Sequence, residues 1–310
     1  MRSFRLIPDD TRIPFVRYRY WAYAFSGALV LLTLILLPTK GLNFGIDFRG
    51  GILIEAGMSG PADLAAMRAT LGGLGLGEIA LQEFGGPENV LIRVERQPGG
   101  EAGQLAAVDA VKAALGARFG DDISYRRVEF VGPKVSEDLL WAGIQATVYA
   151  LIAILAYVWF RFEWQFAVGA VAALVHDAVT TLGLFSLFGL EFNLTTIAAL
   201  LTIVGYSIND TVVIYDRVRE NLRRYKNMPL PELVDRSINQ TLARTVMTSL
   251  TTLMALIALV LFGGPVIRDF TIAMTWGVLI GSYSTVYVAA PMILQFHLRR
   301  EAIGQPVQAP

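Results

Sequence analysis

Cysteine is absent from this 310-residue chain, and histidine occurs only twice. Without cysteine there can be no disulfide and no thiolate metal site. His176 and His297 are too far apart in sequence to suggest a zinc site, so no metal and no cofactor are expected. No G-x-x-x-x-G-K-[ST] run is present, and nothing else points to nucleotide hydrolysis or to an enzyme of covalent chemistry. Charge bias is also missing. Lys+Arg and Asp+Glu are 26 each, and bulk charge gives no reason to expect a nucleic-acid partner. What the chain has instead is apolar mass: 54% hydrophobic residues against 17% charged, with a mean hydropathy of +0.51. That balance fits a multi-span membrane protein in the lipid bilayer carrying a soluble part.

The most informative stretch is residues 193–221, NLTTIAALLTIVGYSINDTVVIYDRVREN. It is apolar for about 20 residues, enough to span a bilayer. It nevertheless carries Asn209 and Asp210 inside the span, and Asp216, Arg217, Arg219 and Glu220 at its end. A carboxylate in hydrocarbon costs roughly 2.5–3.5 kcal/mol even on the lenient insertion scale, so it faces a bundle interior or a water-filled cavity.

The rest of the chain can be placed around that helix. Residues 1–20 are a basic segment, and residues 21–37 are a first span, read as uncleaved because no A-x-A site follows. Residues 38–136 change character: mixed charge, many glycines and short alternating runs. Strands are expected at 51–57, 78–84, 89–96 and 121–132, and helices at 61–72 and 101–120. The order β-α-β-β-α-β is a ferredoxin-like α+β domain. Residues 137–297 then give five more spans, with a polar connection at 216–243, and 298–310 form a tail. The expected fold is an α-helical polytopic membrane protein of six spans with one ferredoxin-like domain between spans one and two. Arginines concentrate in 1–20, 161–164, 216–243 and the tail, while the other turns hold little charge. The positive-inside rule therefore predicts both termini in the cytoplasm and the domain on the outer side.

Several groups are candidates for chemistry. Asp210 and Arg244 lie on spans joined by the 216–243 connection, so they can reach similar depth. A carboxylate whose charge depends on an arginine is a proton switch. The plainer reading is that Asp210 ties helices together and Arg244 reaches to the interface. His176 and Asp177, mid-span, form a second polar pair, or an interhelical hydrogen-bond pair with no further role. Thr202, Gly205 and Asn209 recur at helical spacing as a small, polar face, and Gly277 and Gly281 form a G-x-x-x-G; helix packing is the simplest role for all five. Asp47, Arg49, Gly50 and Gly51 stand where the chain leaves the first span. They are either a polar lead into a strand, with a diglycine for unusual dihedrals, or an interdomain contact.

Five segments together resemble one family. FGIDFRGG (44–51), VGPKVSEDLL (131–140), the run 176–221, QTLARTVMTSLTT (240–252) and LFGGPVIRDF (261–270) are similar to the SecF family of bacterial protein-export membrane subunits, within the SecD/SecF group of the resistance-nodulation-division superfamily. The resemblance implies a bacterial inner-membrane location and a heterodimer with SecD. It also implies association with the SecYEG channel, YajC and YidC, a functional link to the ATPase SecA, and preproteins as substrates. It implies use of the proton-motive force, with Asp210 and Arg244 as proton-coupling residues and SecD supplying the other half of the path. From the residues alone, a small-molecule or lipid exporter of the same superfamily, or a translocon scaffold, stays open.

Overall fold

The structure is a computed structural model that describes residue 8 and residues 11–120, 123–264 and 267–296. The predicted tail, His297 and most of the first ten residues lie outside the described residues. Among the described residues, six helices are long and apolar enough to cross a membrane. They are α1 (Arg19–Thr39), α5 (Pro133–Arg161), α6 (Trp164–Phe188), α7 (Leu194–Arg224), α8 (Leu230–Phe262) and α9 (Arg268–Ser284), the last continuing through a π turn at Thr285–Ala289. Helices α6, α7 and α9 form the centre, and α1, α5 and α8 flank it.

Local signals set the helix ends. Gly189, at φ 65°, closes α6 in the left-handed conformation that glycine tolerates best. Asn193 opens α7 with a capping box: its side chain accepts from the Thr196 N–H (3.1 Å), and the Thr196 hydroxyl accepts from the Asn193 N–H (3.3 Å).

Residues 216–243, read from sequence as a polar connection, are helical except for a short turn at 225–229. Helices α7 and α8 run on past the apolar zone as a hairpin. Asn221 donates to Ser237 (2.8 Å) and Gln240 (2.9 Å), and Arg236 lies over the Tyr225 ring. The fall in hydropathy marks the exit from the membrane, not the end of the helices. The N-terminal segment docks on this hairpin. Asn239 accepts from the Ile13 N–H and donates to the Ile13 carbonyl (both 2.9 Å), and Asp235 accepts from the Val16 N–H (2.8 Å).

Between α1 and α5 lies a four-stranded antiparallel sheet: β2 (Gly51–Gly57), β3 (Ile79–Glu83), β4 (Asn89–Val94) and β5 (Ser124–Val131), in the order β3-β4-β2-β5. Helices α3 (Leu64–Gly72) and α4 (Gly100–Phe119) cover one face. The core joins Ile52, Ile54, Val90 and Ile92 to Met67, Leu71, Val111 and Leu115. This is the ferredoxin-like arrangement, with an outer strand added by each βαβ half. Two short strands, absent from the sequence reading, tie the domain to the bundle. β1 (Asn43–Phe44) pairs in parallel with β6 (Glu191–Phe192), which lies in the α6–α7 turn.

Candidate functional site

The centre of the bundle is polar. Asp177 on α6 is fully buried. Its carboxylate accepts from Ser207 on α7 (2.6 Å) and Ser284 on α9 (2.8 Å), and it lies 3.0 Å from the His176 Nδ1. One carboxylate thus joins three helices. Thr211 and Thr285 pair beside it (3.0 Å), and Tyr215 donates to the Ala289 carbonyl at the π turn (3.1 Å). The π turn interrupts the regular i→i−4 pattern at this contact. The close approach of α9 to α7 depends on the two glycines of the G-x-x-x-G. A Cβ at Gly277 would overlap the Ile203 side chain, and one at Gly281 would lie 3.2 Å from the Ser207 Cβ.

Asp210 is one turn from this network and differs from Asp177. It is 2% exposed, and neither carboxylate oxygen has a hydrogen-bond partner among the described residues. Arg244 is exposed on α8. It is close enough for its charge to act on Asp210 but makes no salt bridge with it. The Thr245 hydroxyl next to Arg244 is buried and also without a hydrogen-bond partner among the described residues. A buried carboxylate that no protein group satisfies is costly as an anion, and its charge state follows whatever is brought beside it.

Thr202, Gly205 and Asn209 do not pack inside. They are exposed on α7, in line with Thr195 and Ala198, at spacings of three and four residues. A Cβ on Gly205 would meet nothing within 4 Å, so nothing among the described residues requires a glycine there. Within this chain Gly277 and Gly281 meet another helix, whereas the Thr202, Gly205 and Asn209 stripe faces outward.

At the other end of α7 the FGIDFRGG segment forms a joint. Residues Ile46–Arg49 make a single helical turn, α2. Asp47 accepts from the Leu194 N–H (2.9 Å), adding a second cap to α7. Gly50 and Gly51 have φ of 69° and 115°. A Cβ on Gly51 would lie 2.6 Å from the Val94 carbonyl oxygen, so the diglycine provides both unusual dihedrals and close approach. Arg49 is exposed and joins no ion pair among the described residues. Sequence reading missed Arg93 of β4, which pairs with Glu191 of β6 (2.8 Å) and donates to Asn43 (3.1 Å). The Glu191 N–H in turn donates to Asp269 at the start of α9 (2.8 Å). It also missed Ser207, Thr211, Ser284 and Thr285, for which the one signal was the i, i+4 spacing of Ser207 and Thr211 in an apolar helix.

Six apolar helices among the described residues, an ionisable core and a ferredoxin-like domain after the first helix define a multi-pass membrane protein. The chain belongs to the SecD/SecF family of protein-export membrane proteins. Residues 111–299 match the C-terminal SecD/SecF model, and residues 35–62 match the SecD/SecF GG motif. The Protein translocase subunit SecF of Rickettsia felis is 44% identical over 296 residues, 96% of each chain. That of Rickettsia prowazekii is 43% identical over 296 residues, 96% of this chain and 94% of the other. Among solved structures, SecDF of Thermus thermophilus, described as a translocon-associated membrane protein, superposes with a TM-score of 0.83 at 37% identity, covering 92% of this chain and 39% of that one. SecDF in its super-membrane-facing form gives 0.70 at 36%, covering 97% and 41%. The chain therefore spans about two fifths of the SecDF chains it matches, and nearly the whole of the SecF relatives.

Proposed function

We propose that this chain is the SecF-type half of a proton-driven SecD–SecF pair that promotes preprotein movement across the bacterial inner membrane. The observation that carries this reading is Asp210, a carboxylate buried in a spanning helix with no hydrogen-bond partner for either oxygen among the described residues. A group tying helices together would be satisfied, as Asp177 is. Protonation of Asp210 changes its demand for Arg244 and with it the packing of α7 against α8. The scale is adequate: one charge crossing 100 mV is worth about 2.3 kcal/mol.

The outward stripe of Thr195, Thr202, Gly205 and Asn209 is the surface for SecD, whose own ionisable groups complete the proton path beside Asp210. The arginine distribution supports cytoplasmic termini and a periplasmic domain. SecYEG, YajC and YidC are the expected neighbours, with SecA acting on the cytoplasmic side. Helix α7 gives the coupling route. Asp210 lies 16 residues from Leu194, about 24 Å along one continuous helix whose far end is capped by Asp47 of the domain segment.

Cells whose only copy carries Asp210→Asn test the reading. The expected result is normal assembly with SecD and loss of export stimulation. Normal export would reduce Asp210 to a packing residue and favour a scaffold.

A further inference from the structure

The first span is fastened at its start by side chains of another helix. Asn239 of α8 accepts from the Ile13 N–H and donates to the Ile13 carbonyl (both 2.9 Å), and its amide also donates to the Asp235 carbonyl (2.8 Å). Both protons and the oxygen of that amide are thus engaged, which fixes the side chain. One turn earlier on α8, the Asp235 carboxylate accepts from the Val16 N–H (2.8 Å). Val16 lies in the 3₁₀ turn Phe15–Tyr18, which runs without a break into α1 and receives no side-chain cap from Pro14 before it. Asp235 supplies that cap from α8, with a negative charge where a helix start favours one. Phe15 and Val16 are buried in the same core as Leu222, Val234 and Ile238 of the α7–α8 hairpin.

We infer that Asn239 and Asp235 are positioning residues: they clasp α1 to α8, so that a shift of α8 set off at Arg244 is carried along α1 to the sheet domain.

On the reading proposed above, on which this inference rests, protonation of Asp210 changes its demand for Arg244. Arg244 lies five residues beyond Asn239 on the same unbroken helix, about 7.5 Å along its axis. At the clasp, three directional hydrogen bonds to backbone resist the sliding that apolar contacts alone would permit. From there α1 is continuous to Thr39, and three residues later the chain enters β1, which pairs with β6. Further along, Tyr283 of α9 donates to the Ala22 carbonyl of α1 (2.8 Å), and Ser186 of α6 donates to the Gly41 carbonyl just past its end (2.8 Å). The clasp adds to these ties the helix that carries Arg244. The sheet domain is thereby linked to Asp210 through α7 and to Arg244 through α8 and α1.

The chain has no cysteine, so an introduced pair can be labelled selectively. Spin labels at Tyr20→Cys on α1 and Glu232→Cys on α8, both exposed, report the clasp in the full chain in lipid nanodiscs. The distance distribution should be narrow in the otherwise unsubstituted chain and broad with Asp235→Ala and Asn239→Ala together; equal distributions would overturn the inference. Export into vesicles holding the full chain and its SecD-type partner then reads the coupling. The double variant should co-purify with the partner and keep gradient-independent export, while gradient-driven stimulation falls several-fold. Asp235→Asn, which keeps an oxygen for the Val16 N–H, should stay close to the parent. A double variant that keeps full stimulation, or that loses both kinds of export in equal measure, would overturn the inference, the second result marking a merely structural tie. If the double variant does not assemble, Asn239→Asp decides, since it removes only the bond to the Ile13 carbonyl: partly reduced stimulation supports the clasp, and stimulation at the parent's level overturns it. Stimulation lost with Asp210→Asn but kept by the double variant sinks the clasp alone; stimulation kept by Asp210→Asn sinks the proton-coupling reading beneath it.

Discussion

Two aspartates in the same bundle have opposite surroundings, and substitution should separate them. Asp177→Ala leaves two serine hydroxyls and an imidazole without their acceptor. Such loss costs about 1–3 kcal/mol, visible as a lower midpoint in thermal unfolding of the purified protein. Asp177→Asn keeps a carbonyl acceptor and should lose less. Asp210→Asn breaks no hydrogen bond among the described residues, so its midpoint should match or exceed that of the parent. If Asp210→Asn destabilised as much as Asp177→Ala, Asp210 would be a structural tie. Asp210 stood out in the sequence because a charge inside an apolar run is rare. Ser207 and Ser284 did not, because hydroxyls cost little in a spanning helix and occur there often. Arg93 and Glu191 were hidden for another reason. They are 98 residues apart, and only the fold brings them together.

At the scale of the element, α7 is the organising helix. One side packs α6 and α9 through Ile203, Ser207 and Thr211, and another side presents small and polar residues outward. Two glycine substitutions distinguish the sides. Gly277→Leu forces a side chain onto Ile203, and overpacking of this kind costs about 1–3 kcal/mol, again read from unfolding. Gly205→Leu meets open space and should leave stability unchanged. It should nevertheless weaken co-purification with a SecD-type subunit several-fold, because a helix stripe of small residues permits close approach of another helix. Unchanged co-purification would move the partner surface elsewhere. The six spans were legible from hydropathy alone. The helical hairpin beyond them was not, since its charged residues read equally well as a loop; its polar contacts form only between the two helices.

In the whole molecule the domain hangs from more than its two chain connections. Besides running into α1 and α5, it is held by β1–β6, by the Asp47 cap and by Arg93–Glu191, all at the C-terminal end of α6 and the N-terminal ends of α7 and α9. The alternating strand pattern made the ferredoxin-like order readable, but this third attachment depended on a two-residue strand too short to leave a pattern. It makes α7 one continuous helix from the proposed proton site, Asp210, to the domain segment. The account's central claim is that Asp210 converts a proton gradient into export, and gradient-driven export into vesicles containing this chain with its SecD-type partner tests it most directly. With Asp210 present, collapsing the gradient should remove the stimulation. With Asp210→Asn and an intact pair, export should be the same with or without the gradient. Full gradient-dependent stimulation in the Asp210→Asn vesicles would contradict the claim.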